Sequence, residues 1–98
     1  MGNGDLGFLH ELEGIIRSRL NERPDSSYTA QLAAAGDKRV AQKVGEEAVE
    51  LALAAVAGTR EEQVDEAADL LFHTLVLLSC RGITLADVVD NLQQRHTG

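Results

Sequence analysis

Apolar residues recur along this chain at the three- and four-residue intervals that are typical of amphipathic helices. The first segment shows the period clearly, with apolar residues at Leu6, Leu9, Leu12, Ile16 and Leu20. Asp5 can cap the start of this helix, which must end before Pro24 because proline disfavours a helical residue ahead of it. Residues 21–27 are polar and are predicted to form a loop.

A short helix and a long helix are predicted next from the signals at their ends. The short helix covers residues 27–35 and ends at Gly36. Asp37 then caps a long helix that runs to about Ala57, where Gly58 ends it.

Two more helices follow Gly58. Thr59 and Glu62 match a capping box, which begins a further long helix that ends near Arg81. The last helix is predicted from Leu85 to about Arg95. Because no stretch alternates apolar and polar residues as strands do, the expected fold is all-α. It consists of a hairpin of two long helices plus N- and C-terminal helices.

Length and composition favour one small domain over residues 1–98, with the Gly-rich residues 1–7 expected to fray. Apolar residues make up 44% of the chain but only three residues are aromatic, so the core must consist of Leu, Val, Ile and Ala. A chain this short buries a modest fraction of its surface, and such chains often complete their cores by forming oligomers. We therefore expect a dimer.

The net charge of −7 argues against binding nucleic acid through a basic surface. No apolar run reaches the roughly 18 residues that a membrane span needs, and the first residues lack the features of a signal peptide. The single Cys80 excludes an internal disulfide and fits a reducing compartment. These observations predict a cytoplasmic protein without a membrane partner.

Two short acidic repeats carry the most specific chemical signal. Glu47 and Glu50 form one pair and Glu66 and Asp69 the other, each at the i, i+3 spacing that puts both carboxylates on one side of a helix. Glu50 and Glu66 each lie 8 residues from Gly58, and Glu47 and Asp69 each lie 11 residues from it. If the helices fold back antiparallel, four carboxylates meet roughly 12 Å from the turn. Such crowded negative charges repel unless a cation lies among them.

The polar stripe continues beyond the carboxylates. The same reflection puts Lys43 level with His73, each 15 residues from Gly58. A charged stripe between apolar residues costs free energy unless it lines a cavity or binds a ligand. The alternative interpretation is a solvated acidic face, which any single one of these residues would also fit.

All four acidic candidates offer oxygen ligands, which favour Mg²⁺, with Mn²⁺ as a possible substitute. The Glu-x-x-His pattern of di-iron bundles is absent from the sequence. Mg²⁺ often shares its coordination with phosphates, so the implied substrate is a di- or triphosphate. The implied reaction is attack of a metal-activated water on a phosphoanhydride.

These motifs resemble a known family. The segments 43–50 (KVGEEAVE) and 66–73 (EAADLLFH) are similar to the metal-binding signature of the all-α nucleoside triphosphate pyrophosphohydrolases. Within that superfamily, the segments 26–32 (SSYTAQL) and 36–38 (GDK) resemble the phosphoribosyl-ATP pyrophosphatases of histidine biosynthesis. The resemblance extends from about residue 9 to about residue 91.

The resemblance implies that this chain binds phosphoribosyl-ATP and hydrolyses it to phosphoribosyl-AMP and pyrophosphate. It also implies a homodimer in which helices of two chains complete a four-helix-type bundle. The metal ligands that it implies are Glu47, Glu50, Glu66 and Asp69.

The resemblance assigns roles to the residues around the ligands as well. Glu46 is a candidate base, although a plain surface glutamate fits equally, and His73 is either a catalytic group or a core histidine. Lys43 and Lys38 would neutralise the negative charge of the phosphate groups. Hydrogen bonds to substrate, or merely a helix cap, are expected from Ser26, Ser27, Tyr28 and Thr29.

Two other functions stay open. A house-cleaning pyrophosphohydrolase that acts on ordinary or damaged nucleotides would use the same four carboxylates. A helical dimerisation module without catalytic activity would carry the acidic stripe only as a solvated face.

Overall fold

The computed structural model describes residues 4–97, so the first three of the seven N-terminal residues predicted to fray lie outside the described range. Residues 4–6 precede the first helix. The five helices of the described part are α1 (Gly7–Glu22), α2 (Tyr28–Ala34), α3 (Asp37–Ala57), α4 (Arg60–Cys80) and α5 (Leu85–His96). Residues 4–97 contain no strand, which confirms the predicted all-α fold.

The helix ends follow the signals in the sequence. Asp5 lies at the start of α1 and its carboxylate accepts a hydrogen bond from the Gly7 N–H at 2.8 Å. At the start of α2, Ser27 accepts from the Ala30 N–H at 3.1 Å. Thr84 and Asp87 form a reciprocal capping box at the start of α5. Each of these bonds satisfies a backbone donor that the first helical turn would otherwise leave unpaired.

The turn between α3 and α4 depends on glycine because of a close approach. A Cβ on Gly58 would lie 2.9 Å from the carbonyl oxygen of Ala54, which is too close for a carbon atom. The backbone φ of Gly58 is −97°, so space and not a left-handed conformation requires glycine here. Thr59 and Glu62 form the predicted capping box directly afterwards. This pair of signals fixes the point about which α3 and α4 fold back on each other.

The hydrophobic core lies at the end of the α3–α4 hairpin away from this turn. Helices α1 and α2 pack there, and the buried core residues are Ile16, Leu32, Val40, Leu75 and Val76. They come from four different helices, and aliphatic side chains dominate as the composition predicts. Burial of this cluster holds the open end of the hairpin together.

The half of the hairpin next to the turn is uncovered. Among residues 48–72, all of which the structure describes, none is buried. Large apolar side chains are instead exposed there by 59% at Val49, 64% at Leu53, 87% at Val56 and 56% at Val64. Monomeric proteins rarely leave apolar side chains so densely exposed on one part of the surface.

Helix α5 is joined to the rest of the fold by few contacts. None of its residues is buried, although Leu85 packs partly against the core. The Leu85 N–H donates a hydrogen bond of 2.6 Å to the carboxylate of Glu13, which is only 4% exposed. Arg17 lies 3.5 Å from the same carboxylate oxygen of Glu13. A buried charge on α1 thus binds the start of α5.

Over residues 4–97, no single helix is long and apolar enough to cross a membrane. Among the described helices, only α4 and α5 taken together meet that criterion by length and composition, and they are bent by 107° relative to each other.

Candidate metal centre

Carboxylates from both long helices converge where the buried half of the hairpin meets its uncovered half. Glu47 on α3 and Glu66 and Asp69 on α4 each offer an oxygen, and these three oxygens lie within 4.8 Å of one another. The i, i+3 spacing puts Glu66 and Asp69 on one side of α4, and the antiparallel fold brings Glu47 level with them. Three of the four predicted ligands therefore form one compact group.

Glu50 lies at the edge of this group. Its side chain is exposed, and a hydrogen bond with the Glu66 carboxyl group is the main cause of its raised pKa. The negative charge of Glu66 raises the pKa further, while a hydrogen bond with Glu47 opposes the shift. Without a cation, the Glu50 and Glu66 carboxyl groups thus repel each other, and Glu50 holds its proton more tightly than a free carboxyl group does.

The Oε2 atoms of Glu47 and Glu66 are the two oxygens of the cluster that suit a cation. The other carboxylate oxygen of Glu47, Oε1, is 3.3 Å from the ammonium of Lys43. The Oε2 atoms of Glu47 and Glu66 are buried, and neither has a hydrogen-bond partner among the described residues. An unpaired buried carboxylate oxygen costs free energy, which a divalent cation would recover. Because all donors are hard oxygens, the residues fit Mg²⁺ or Mn²⁺.

A groove of about 370 Å³ extends from the cluster toward the turn. Glu50 and Glu66 line its inner end, and Leu53, Ala57 and Gly58 line the rest with neighbouring residues. Among the described residues, no cationic side chain lines this groove, so on its own it would repel phosphate groups. Cations are found on the other side of the cluster.

Lys43 is the cation nearest to the cluster, and its side chain is 22% exposed. Its hydrogen bond to Glu47 is the main cause of its raised pKa, so the ammonium stays charged. Glu46 lies 3.8 Å from Lys43 and 3.9 Å from Arg39. The carboxylate of Glu46 therefore faces cations of its own helix and is not part of the converging group.

His73 lies one helical turn after Asp69 and is 6% exposed. Its Nδ1 atom is 2.8 Å from the main-chain oxygen of Asp69, and its Nε2 atom is 2.8 Å from the hydroxyl of Tyr28. The Tyr28 ring also stacks on Phe72 with ring centroids 6.2 Å apart. Tyr28, Phe72 and His73 thus form an aromatic cluster beside the carboxylates.

The remaining predicted residues are not part of the converging group. Ser27 uses its hydroxyl oxygen to cap α2, Thr29 is buried, and Ser26 is exposed in the preceding turn. Lys38 is exposed in the first turn of α3, nine residues before Glu47. That separation corresponds to roughly 13 Å along the helix axis.

Two features were not predicted from the sequence. The hydrogen bond between Tyr28 and His73 joins residues 45 positions apart, and only the fold reveals it. The second feature is the burial of Glu13, which lies four residues after Leu9 and three before Ile16, on the apolar stripe of α1. A carboxylate on an apolar stripe is a signal that could have identified it as a buried charge.

The all-α hairpin and the acidic side chains converging from both of its long helices define a helical protein with a candidate metal centre. The chain belongs to the phosphoribosyl-ATP pyrophosphohydrolase family, whose model matches residues 9–96. The predicted family is thereby confirmed.

Known relatives agree with this assignment. The histidine biosynthesis bifunctional protein HisIE of Photobacterium profundum is 54% identical over 91 residues, which are 93% of this chain and 44% of that protein. HisIE of Vibrio cholerae is 55% identical over 89 residues, or 91% of this chain and 42% of that protein. HisIE of Escherichia coli is 52% identical over 89 residues, or 91% and 44%. The chain spans less than half the length of these relatives.

Proposed function

We propose that this chain hydrolyses phosphoribosyl-ATP to phosphoribosyl-AMP and pyrophosphate in a Mg²⁺-dependent reaction, as an early step of histidine biosynthesis. The observation that carries the metal dependence is the pair of buried, unpaired oxygens on Glu47 and Glu66. They belong to a group of carboxylates whose negative charges repel one another, and a bound cation would neutralise these charges.

In this proposal Glu47, Glu66 and Asp69 hold the metal directly, and Glu50 completes the set from the edge of the group. Bound Mg²⁺ would polarise the phosphoanhydride, lower the pKa of a water and neutralise charge on the leaving pyrophosphate. Mn²⁺ would substitute, because it accepts the same oxygen donors.

The other residues act around that set. Lys43 keeps its charge through the hydrogen bond to Glu47, so it can stabilise charge that develops on the phosphates. Glu46 is the candidate base, with its carboxylate between Lys43 and Arg39. The segment of residues 26–29 and the exposed Lys38 would contact more distant parts of the substrate.

We also propose that the protein acts as a homodimer. The exposed apolar side chains of Val49, Leu53, Val56 and Val64 occupy the half of the hairpin that no other helix within residues 4–97 covers. The same half of a second copy has a matching apolar surface, and a symmetric interface needs only one such patch on each chain. Two hairpins packed in this way would form a four-helix bundle.

We propose a cytoplasmic location. Cys80 is the single cysteine of the sequence, and its burial raises the pKa of its thiol. A single free thiol of this kind fits a reducing compartment, because it forms no disulfide within the chain.

The test is pyrophosphate release from phosphoribosyl-ATP with Mg²⁺, with Mn²⁺ and with a chelator. We expect turnover only with the metal. Glu66→Gln should abolish turnover, whereas Glu61→Gln, an exposed change in the first turn of α4, serves as the matched control. Comparable turnover of ordinary deoxynucleoside triphosphates would instead favour the house-cleaning function. Metal-independent turnover would contradict the proposal.

A further inference from the structure

The Tyr28 hydroxyl and the His73 ring form a hydrogen-bonded pair next to the carboxylate cluster. Tyr28 is the first residue of α2, and His73 lies on α4. Both ring nitrogens of His73 have partners in the protein, at 2.8 Å to the Asp69 main-chain oxygen and at 2.8 Å to Tyr28. Because the ring is buried and both of its nitrogens are occupied, it is not free to bind substrate directly.

The partners determine the direction of each hydrogen bond. The carbonyl oxygen of Asp69 can only accept, so the Nδ1 atom of His73 must carry a proton. A neutral imidazole has one N–H, which leaves the Nε2 atom as an acceptor. Tyr28 therefore donates its hydroxyl proton to His73. The phenol oxygen of Tyr28 keeps only lone pairs for any other partner.

The orientation of the Tyr28 ring is fixed on one side and open on the other. The ring stacks on Phe72 and meets His73 edge-on at 5.8 Å between ring centroids. Tyr28 nevertheless remains 49% exposed. On α3, the Lys43 ammonium lies 3.3 Å from the Glu47 carboxylate of the same cluster. The carboxylate cluster thus has two polar neighbours, the Lys43 ammonium beside Glu47 and the Tyr28 phenol, which is joined through His73 to Asp69.

These two groups suit different parts of a nucleotide. Ionised phosphate oxygens are acceptors, so they match the ammonium of Lys43 and not an oxygen that can only accept. Ribose hydroxyls and the adenine amino group are donors, which an acceptor oxygen can bind. The direction of the Tyr28–His73 bond therefore separates phosphate binding from nucleoside binding.

We infer that His73 is a positioning residue that makes Tyr28 an acceptor for a hydroxyl or amino group of the nucleoside, rather than a donor to the phosphate chain. This inference rests on the proposed function and names the part of the substrate that Tyr28 contacts. It also places His73 outside direct proton transfer to the substrate.

The kinetic test compares Tyr28→Phe, His73→Asn, His73→Gln and the Tyr28→Phe/His73→Asn double variant. Tyr28→Phe should raise KM about fivefold, the effect of one hydrogen bond, with a smaller change in kcat. His73→Asn should match it, because its amide still reaches Asp69 but not Tyr28. His73→Gln should restore much of the loss, since its terminal oxygen can accept from Tyr28. The double variant should lose no more than either single variant.

Inhibition by fragments of the substrate identifies the contacted part. In Tyr28→Phe, inhibition by AMP should weaken about fivefold while inhibition by pyrophosphate stays unchanged. Weaker inhibition by pyrophosphate alone would overturn the inference. His96→Asn, an exposed histidine near the end of α5, is the matched control. If His73→Asn does not fold, Tyr28→Phe and His73→Gln still decide the kinetic test.

A spectroscopic measurement keeps this inference separate from the proposed function. Nitrogen-15 NMR of the resting protein, at a pH where the ring is neutral, should show His73 with its proton on Nδ1, in the wild type and in Tyr28→Phe alike. A wild type that does not hydrolyse phosphoribosyl-ATP would refute the proposed function but leave this readout intact. A ring with its proton on Nε2, or multiplicative losses in the double variant, would overturn the inference itself.

Discussion

Metal binding should stabilise this protein by an amount that can be worked out from its size. Mg²⁺ at a hundred times its dissociation constant stabilises a native state by about 2.7 kcal/mol. For a domain of this length, each kcal/mol changes Tm by about 4–8 °C. We therefore expect Mg²⁺ to raise the midpoint of thermal unfolding by roughly 10–20 °C at fixed protein concentration.

Glu66→Gln is the change that tests the cluster most directly. Glu66 makes no ion pair within the described chain, so the substitution removes a ligand without breaking a bond to a cation. A hundredfold weaker site retains only about 0.4 kcal/mol at the same Mg²⁺ concentration, or about 2–3 °C. In a chelator, the variant should be at least as stable as the wild type, because one charge fewer repels Glu50.

Thermal unfolding followed by circular dichroism measures both effects, with Glu61→Gln as the control that keeps the full response. The pH dependence gives an independent check on the metal-free protein. The raised pKa of Glu50 means that the folded state holds its proton more tightly than the unfolded state does. This contribution is complete below the unfolded pKa of about 4.5 and is lost as the pH rises through the folded pKa. Glu50→Gln should remove that part of the pH dependence. A full Mg²⁺ response in Glu66→Gln would refute the assignment of the cluster as the metal site.

Three further outcomes follow from other parts of the structure. Light scattering should give a dimer at micromolar concentration. Leu53→Asp should convert the dimer to a monomer, whereas Leu6→Asp, an exposed change on another part of the chain, should not. An active wild-type monomer of about 10 kDa would contradict the dimer. Phosphorus NMR should show pyrophosphate as the first product, and orthophosphate as the first product would refute cleavage between the α- and β-phosphates. Lys43→Ala should lower kcat more than it weakens Mg²⁺ binding. Glu13→Ala should destabilise the start of α5 by about 1.5–3 kcal/mol, measured by hydrogen exchange. Glu13→Gln should destabilise it less, because the amide oxygen of glutamine still accepts from the Leu85 N–H. Unchanged exchange in both variants would contradict the role of Glu13.

The helix boundaries could be predicted from the sequence because their signals are local. Ser27, Thr59 and Thr84 each cap a helix through a residue three positions later, so both partners are visible in a short stretch of sequence. Gly58 was also predicted as an end point, although its reason is a close approach to Ala54 and not the left-handed conformation usual at such positions. The glycine therefore predicted the correct end of α3, although the physical reason for glycine at this position differs from the usual one.

The level of each carboxylate along the hairpin could be predicted, but its direction around the helix could not. Reflection about Gly58 treats Glu47 and Glu50 alike. Three residues correspond to about 300° of rotation on an α-helix, so the two side chains diverge by about 60°. Glu47 is 5% exposed, whereas Glu50 is exposed and reaches the group through Glu66. Which of the two turns inward depends on how α3 rotates against α4, and that rotation is set by tertiary packing.

The same packing explains why the site lies where it does. On one side of the carboxylates, Val40, Leu75 and Val76 are buried, which fixes the backbone that carries Glu47 and Asp69. On the other side, none of residues 48–72 is buried, so the side chains of that half of the hairpin remain accessible in the chain. Charged side chains can converge without being fully desolvated only at such a boundary. A site placed nearer to Val40 would have had to bury all of its charges, and one placed nearer to Gly58 would have lacked a rigid support.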